Sequence, residues 1–360
     1  MFSRISKGLV LALSLAASTV AVGCASNAEE NVASDEGAAT AGSALAHDYE
    51  GTIGNLKVLV RLDASGSAIS GSYFYADKVG NGDNLILKGS VQGSKLTMTE
   101  SVNGAGAATG TFNGTIGAGS ITGTWKAGNT TLPLKLTAIK SLKTAQHKYK
   151  AEIKAVHTGP NDFVRDCSLE AEVVEIYGLD AKLEKQMMDS LKVDPLDKDA
   201  QGHCDSDIRF VTQTVGYNGN GLLSIDVATE YDGGAHPENQ ADAFNFVVAT
   251  GQNLGPADVF AAGSKAKLKD LIEAAMRKED PNADKKDEND FSAISEFENH
   301  WDMSNDSLPF TMSLSDKGIT INMGNSYPHV ILALAPLVTI SWADAKPLLK
   351  AGTPAAALAK

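Results

Sequence analysis

A chain of 360 residues, 43% hydrophobic and 21% charged, is long enough to bury more than one core. Its 44 acidic and 31 basic residues give a formal charge of -13, which sets the surface against nucleic acid and anionic headgroups. No basic cluster interleaved with aromatic residues offsets that repulsion, so no nucleic-acid partner is expected.

The N-terminus places Arg4 and Lys7 ahead of an apolar stretch, Gly8 to Val22, interrupted only by Ser14, Ser18 and Thr19. Charge, a short hydrophobic core and small residues in that order make a secretory signal, too short to span a bilayer. The stretch ends Ala21-Val22-Gly23-Cys24, and a cysteine directly after small residues marks a lipoprotein signal. Residues 1–23 are therefore expected to be cleaved and Cys24 to carry the lipid; losing Arg4 and Lys7 takes the charge from -13 to -15. The expected location is the bacterial cell envelope, lipid-anchored on the extracytoplasmic side. If the cell is Gram-negative, Ala25 and Ser26, in place of a retaining aspartate, point to the outer membrane, facing the periplasm. Beyond Cys24 the longest apolar run, Val330 to Ile340, contains Pro336 and falls short of the roughly 20 residues of a spanning helix.

Residues 24–47 hold almost no large apolar side chain and read as a disordered tether. A flexible coil of about 22 residues reaches roughly 25 Å.

Over residues 48–140 the pattern becomes short alternating runs: Leu56 to Leu62, Ala68 to Tyr75, Leu85 to Val91, Lys95 to Glu100, Gly110 to Ile116, Ser120 to Trp125 and Leu132 to Leu136. Each is rich in β-formers and bounded by Gly, Asn or Asp turns. Such spacing predicts an antiparallel β-meander or, because closure removes exposed edges, a small barrel of seven or eight strands. The triplets Gly71-Ser72-Tyr73, Gly110-Thr111-Phe112 and Gly123-Thr124-Trp125 form a weak repeat. An interior filled by side chains is the expectation for a barrel this small.

Lys140 to His147 reads as a polar basic joint, and residues 146–349 as a mixed α+β domain followed by a tail, 350–360. Leu179, Leu183, Met187 and Leu191 recur every four residues and predict a helix. Strands Ile208 to Val215 and Leu222 to Thr229 flank the hairpin turn Asn218-Gly219-Asn220-Gly221, and Phe244 to Ala249 is a further strand. Ser264 is the expected cap of a second helix with Leu268, Leu271, Ile272 and Met276, and a third runs from Phe291 to Trp301. Phe310 to Leu314, Ile319 to Met323 and Val330 to Ile340 complete the strands, with Pro336 implying an edge or a bulge.

With Cys24 acylated, Cys167 and Cys204 remain as an even pair in an oxidising compartment, and a disulfide is expected. Closing that loop is worth about 3 to 4 kcal/mol on the chain-entropy model.

The densest unusual run is Tyr231-Asp232-Gly233-Gly234-Ala235-His236-Pro237-Glu238. Paired glycines bring main-chain N–H groups close to a neighbour, and His236 before proline is held extended. Tyr231, Gly233, Gly234 and His236 are the expected binding residues. Asp232, His236 and Glu238 would be the acid/base or metal group of an enzyme, but no nucleophile motif or second histidine at ligand spacing accompanies them. A structural crossover is the preferred reading.

This stretch, with Leu223-Ser224-Ile225, Phe244-Asn245-Phe246, Thr250 to Leu254 and Asp258-Val259-Phe260, resembles a C-terminal domain of unknown function. The domain is shared by the lysozyme-sensing anti-sigma factor RsiV and the peptidoglycan deacetylase PdaC. The resemblance covers about residues 148 to 345 and includes Ser315 to Ile321 and Tyr327-Pro328. It implies an extracytoplasmic binding module for a cell-wall polymer or a wall-active protein. The anti-sigma and deacetylase roles do not follow, because the chain lacks the segments that carry them.

Asp280, Asn282, Asp284 and Glu288 lie at positions 1, 3, 5 and 9 of an EF-hand template, but Lys285 and Phe291 replace its glycine and bidentate glutamate. A solvated acidic linker is the better reading, so no metal or other cofactor is expected. The leading functional expectation is a non-catalytic envelope lipoprotein that binds peptidoglycan or a basic protein such as lysozyme. The alternatives are a peptidoglycan hydrolase using Asp232, His236 and Glu238, and a structural envelope protein.

Overall fold

The computed structural model describes residues 45–76, 85–102, 104, 106–154, 166–196, 208–232, 238–286, 291–303, 307–327 and 335–359. They are mostly β. Eight antiparallel strands form a closed barrel: β1 (Asp48–Ile53), β2 (Leu56–Ser65), β3 (Ala68–Tyr75), β4 (Leu85–Gln92), β5 (Lys95–Val102), β6 (Gly110–Gly117), β7 (Ser120–Ala127) and β8 (Thr130–Ala138). Each strand pairs with the next, and β1 also pairs with β8, so no edge is left open. Alternation supplies the core: Val58, Val60 and Leu62 of β2 meet Leu87, Met98, Phe112, Ile121 and Leu136 inside.

The triplet repeat acquires a cause here. Tyr73 and Trp125 converge on the buried carboxylate of Glu100, the tyrosine hydroxyl donating at 2.5 Å and the indole N–H at 2.8 Å, while Thr109 donates to its other oxygen at 2.7 Å. Phe112 packs edge-on against Tyr73. The glycines leading two of these triplets permit close strand approach: a Cβ on Gly71 would overlap the Arg61 carbonyl oxygen, and one on Gly123 that of Asn113.

The chain then builds β9 (Lys143–Ile153), β10 (Cys167–Tyr177), helix α1 (Ala181–Ser190), β11 (Ile208–Gly219), β12 (Leu222–Asp232), β13 (Glu238–Val247) and β14 (Gln252–Asn253). These strands make one sheet in the order β14-β13-β12-β11-β10-β9. Among the described residues only β10 and β11 pair in parallel, with α1 in their connection, as a parallel pair requires. Asn220 and Gly221 both have positive φ, 48° and 76°, which makes the β11–β12 turn the tight hairpin expected of Asn-Gly.

Helices α2 (Pro256–Val259), α3 (Lys265–Glu279) and α4 (Ala293–His300) follow, then β15 (Thr311–Leu314), β16 (Gly318–Asn322), β17 (Leu337–Ser341) and α5 (Trp342–Ala345). β15, β16 and β17 form a separate antiparallel sheet whose apolar side chains share a core with Leu268, Ile272 and Phe297 of the helices. Asn245 ties the two sheets: its amide donates to the Met312 carbonyl at 2.8 Å and its oxygen accepts from Ser224 Oγ at 2.8 Å. Ser224 Oγ in turn accepts from the Leu314 N–H at 2.9 Å.

Several expectations need correction. The basic joint at Lys140 to His147 runs into β9, because Lys148 and Lys150 point outward to Glu172 and Glu170 while His147 and Tyr149 face inward. Leu45 and Ala46, expected as the end of the tether, pack on the barrel core, where the Tyr49 hydroxyl accepts from the Ala46 N–H at 2.9 Å. Ser264 occupies the N-cap position of α3 with helical dihedrals and no capping bond, whereas Ser292 and Ser295 form a capping box at α4. Within the tail, Ala355 and Ala359 are buried against the core. Their small side chains fit where turns lie close to it. Among the described residues no helix is long and apolar enough to cross a membrane.

Candidate functional site

Odd positions of β2 and even positions of β3 face out of the barrel, and there Leu59 and Phe74 pack against Ile139, Ala145 and Tyr177. His147 stacks on Phe74 with ring centres 4.5 Å apart. Into this apolar seam the sequence places charges. Arg61 projects from β2 over the ring of Tyr177 at 4.9 Å and donates to the Ile176 carbonyl at 2.5 Å. Its guanidinium faces Asp48 at 3.3 Å, Glu175 at 3.5 Å and, more closely, Glu184 of α1. Asp48 is 2% and Glu184 1% exposed.

His47 completes the group. Its Nδ1 lies 3.2 Å from the Leu62 carbonyl and 3.1 Å from Asp63, and its Nε2 lies 3.4 Å from Glu184. Asp48 also accepts from the Gly178 N–H at 2.8 Å. Burial pushes the Glu184 carboxyl up to about 7; the Asp48 carboxylate adds to that rise, and His47 and Arg61 oppose it. The bond to Glu184 raises His47, against the opposing effect of burial. Burial also raises Glu175. One carboxylate oxygen of Glu184, Oε2, is buried with no hydrogen-bond partner among the described residues.

Beside this cluster lies a cleft of about 620 Å³ between the inner face of β9–β10 and the C-terminal end of α1. Tyr149, Ile153, Leu169, Val173, Val193 and Leu196 give it an apolar lining, and Glu175, Asp189 and Lys192 add charge. Gln213 fixes one wall, accepting from the Val174 N–H at 2.8 Å and donating to the Leu191 carbonyl at 2.7 Å.

The sequence-derived candidates lie elsewhere. Gly233, Gly234 and His236 fall outside the described residues, as do Cys24, Cys204, Glu288 and the side chain of Glu238. Tyr231 pairs with Glu238 across β12–β13 and lines a polar cleft of about 200 Å³ with Arg209, Gln240 and Asp242; Asp232 is exposed. Cys167 is buried at the start of β10. At the EF-hand candidate, Asp284 is held by both sides of the Arg277 guanidinium at 3.0 and 3.2 Å, and Asp280 accepts from the Asn282 N–H at 2.8 Å. His300 stacks on Tyr327 with ring centres 4.4 Å apart.

The charged seam went unread in the sequence, although one signal was available. Arg61 interrupts the apolar run Val58-Leu59-Val60-Arg61-Leu62, and Glu184 shares a helix face with Met187 and Leu191.

No family model and no curated protein matches the chain. Among solved structures it is similar to a DUF3298 family protein from Bacteroides fragilis, 14% identical, covering 62% of this chain and 99% of that one with a TM-score of 0.42. A DUF3298 family protein from Pseudomonas aeruginosa is also similar, at 14% identity, 59% and 96% coverage and a TM-score of 0.39.

Proposed function

We propose that the chain is a cell-envelope lipoprotein, held by lipid on Cys24. Its C-terminal α+β part, of the RsiV and PdaC type, acts as a non-catalytic binding module for a cell-wall component or a lysozyme-like protein. The cleft of about 620 Å³ carries this reading. A concave, mainly apolar surface with a few charged groups at fixed positions is the usual form of a small-ligand site. Soluble peptidoglycan fragments have matching chemistry: acetyl and alanyl methyl groups for the apolar floor, a sugar face for Tyr149, and carboxylates for Lys192.

Two further observations support the reading. The motifs behind the resemblance fall on consecutive elements, β12, β13, the turn into β14 and α2, and Asn245 in one of them joins both sheets. The negative charge, -13 for the full sequence and -15 without Arg4 and Lys7, favours encounter with a basic partner. A disulfide between Cys167 and Cys204 belongs to the same proposal, because export supplies the oxidising compartment.

Calorimetric titration of the acyl-free mature chain with soluble muropeptides and with hen-type lysozyme tests the partner. Saturable binding of one of them is expected, weakened about tenfold by Tyr149→Ala. Absence of binding to either below about millimolar removes the partner claim.

A further inference from the structure

The seam between barrel and sheet carries more negative charge than its arginine balances. Asp48, Glu175 and Glu184 contribute three carboxylates against the one guanidinium of Arg61, leaving two negative charges when all are ionised. Burying such an excess is costly unless something positive joins it. Glu184 is only 1% exposed, and its Oε2 has no hydrogen-bond partner among the described residues.

We propose that His47, Asp48 and Glu184 bind a divalent transition-metal ion of the zinc type, which links the first strand of the barrel to helix α1. One ligand atom from each lies within 4.8 Å of the others. Ligand atoms around tetrahedral zinc are about 3.3 Å apart, and His47 Nε2 is 3.4 Å from Glu184 Oε1, the oxygen that Arg61 also contacts. The opposite ring nitrogen of His47 has two acceptors in reach, the Leu62 carbonyl and Asp63. With its proton on Nδ1 the ring presents the Nε2 lone pair to the carboxylates, the usual outer support of a ligating histidine. One imidazole and two carboxylates select an ion that accepts nitrogen, rather than calcium or magnesium. Glu184 Oε1 faces both His47 and Arg61 while Oε2 has no hydrogen-bond partner among the described residues, so the carboxylate keeps lone pairs for the ion. A double positive charge brings the seam to neutrality.

The test is equilibrium dialysis of the full chain, purified without a polyhistidine tag and stripped with a chelator, against Zn²⁺ at pH 8, with metal counted by mass spectrometry. Uptake of about one ion per chain is expected, weakened at least about tenfold by His47→Gln and by Glu184→Gln. Asp63 is exposed, so Asp63→Asn leaves the fold intact and should weaken uptake severalfold through His47 alone. No saturable uptake, uptake of Ca²⁺ in place of Zn²⁺, or uptake unchanged in all three variants would overturn the proposal. In the first case a proton shared by Asp48 and Glu184 bridges the facing oxygens.

Discussion

Replacing Arg61 with methionine keeps an aliphatic stem against Tyr177 and removes the guanidinium. Asp48, Glu175 and Glu184 then face one another without it, and the Ile176 carbonyl loses a donor at 2.5 Å. Removing one partner of a buried ion pair costs about 3–5 kcal/mol. Arg61 keeps 21% of its side chain exposed, so solvent screens part of the loss and the lower end, about 3 kcal/mol, is expected. That lowers the folding constant about a hundredfold. Urea unfolding followed by tryptophan fluorescence and far-UV circular dichroism measures it. Adding Glu184→Gln to Arg61→Met should recover part of the loss, with a coupling of about 1–3 kcal/mol. A loss under about 0.5 kcal/mol, or additive single effects, would mean the pairs behave as surface contacts and the buried-charge reasoning is wrong.

Asn245→Ala should cost about 2–3 kcal/mol in the same urea assay, because it orphans the Met312 carbonyl and the Ser224 hydroxyl between two sheets. Glu100→Ala leaves the Tyr73, Thr109 and Trp125 donors unmet inside the barrel; a loss of about 3 kcal/mol and a shifted Trp125 emission are expected, and an unchanged spectrum would contradict the assigned contacts. Burial lowers the pKa of His147 below the ordinary 6.5, so the unfolded chain takes up a proton first. Its contribution is intact above about 6.5 and is lost as pH falls toward the folded value. His147→Phe should therefore flatten the acid side of the stability profile, read from urea midpoints across that range.

The barrel was legible because strand alternation is local: β3 begins and ends where the pattern of Ala68 to Tyr75 does. Its first strand was harder, since Asp48 and Glu50 disguise Tyr49, Gly51 and Ile53. β9 and β10 escaped because their outward residues are lysines and glutamates paired across strands, so composition reads as a polar joint. The charged seam was hidden by distance along the chain. Arg61 meets Ile176 across 115 residues and Asp48 meets Gly178 across 130, separations no short motif can express. The glycine-histidine run was conspicuous in sequence for its backbone chemistry, whereas the cleft is assembled from ordinary Tyr, Leu and Val side chains that become a site only when two strands and a helix meet.

Hydrogen exchange of the acyl-free mature chain, with and without saturating soluble muropeptides or hen-type lysozyme, locates the binding surface directly. Slowed exchange confined to Lys143–Ile153, Cys167–Tyr177 and Ala181–Ser190, the elements around the cleft, is the expected result. Exchange unchanged by both ligands, or protection confined to the barrel strands, would contradict a cleft-based binding module.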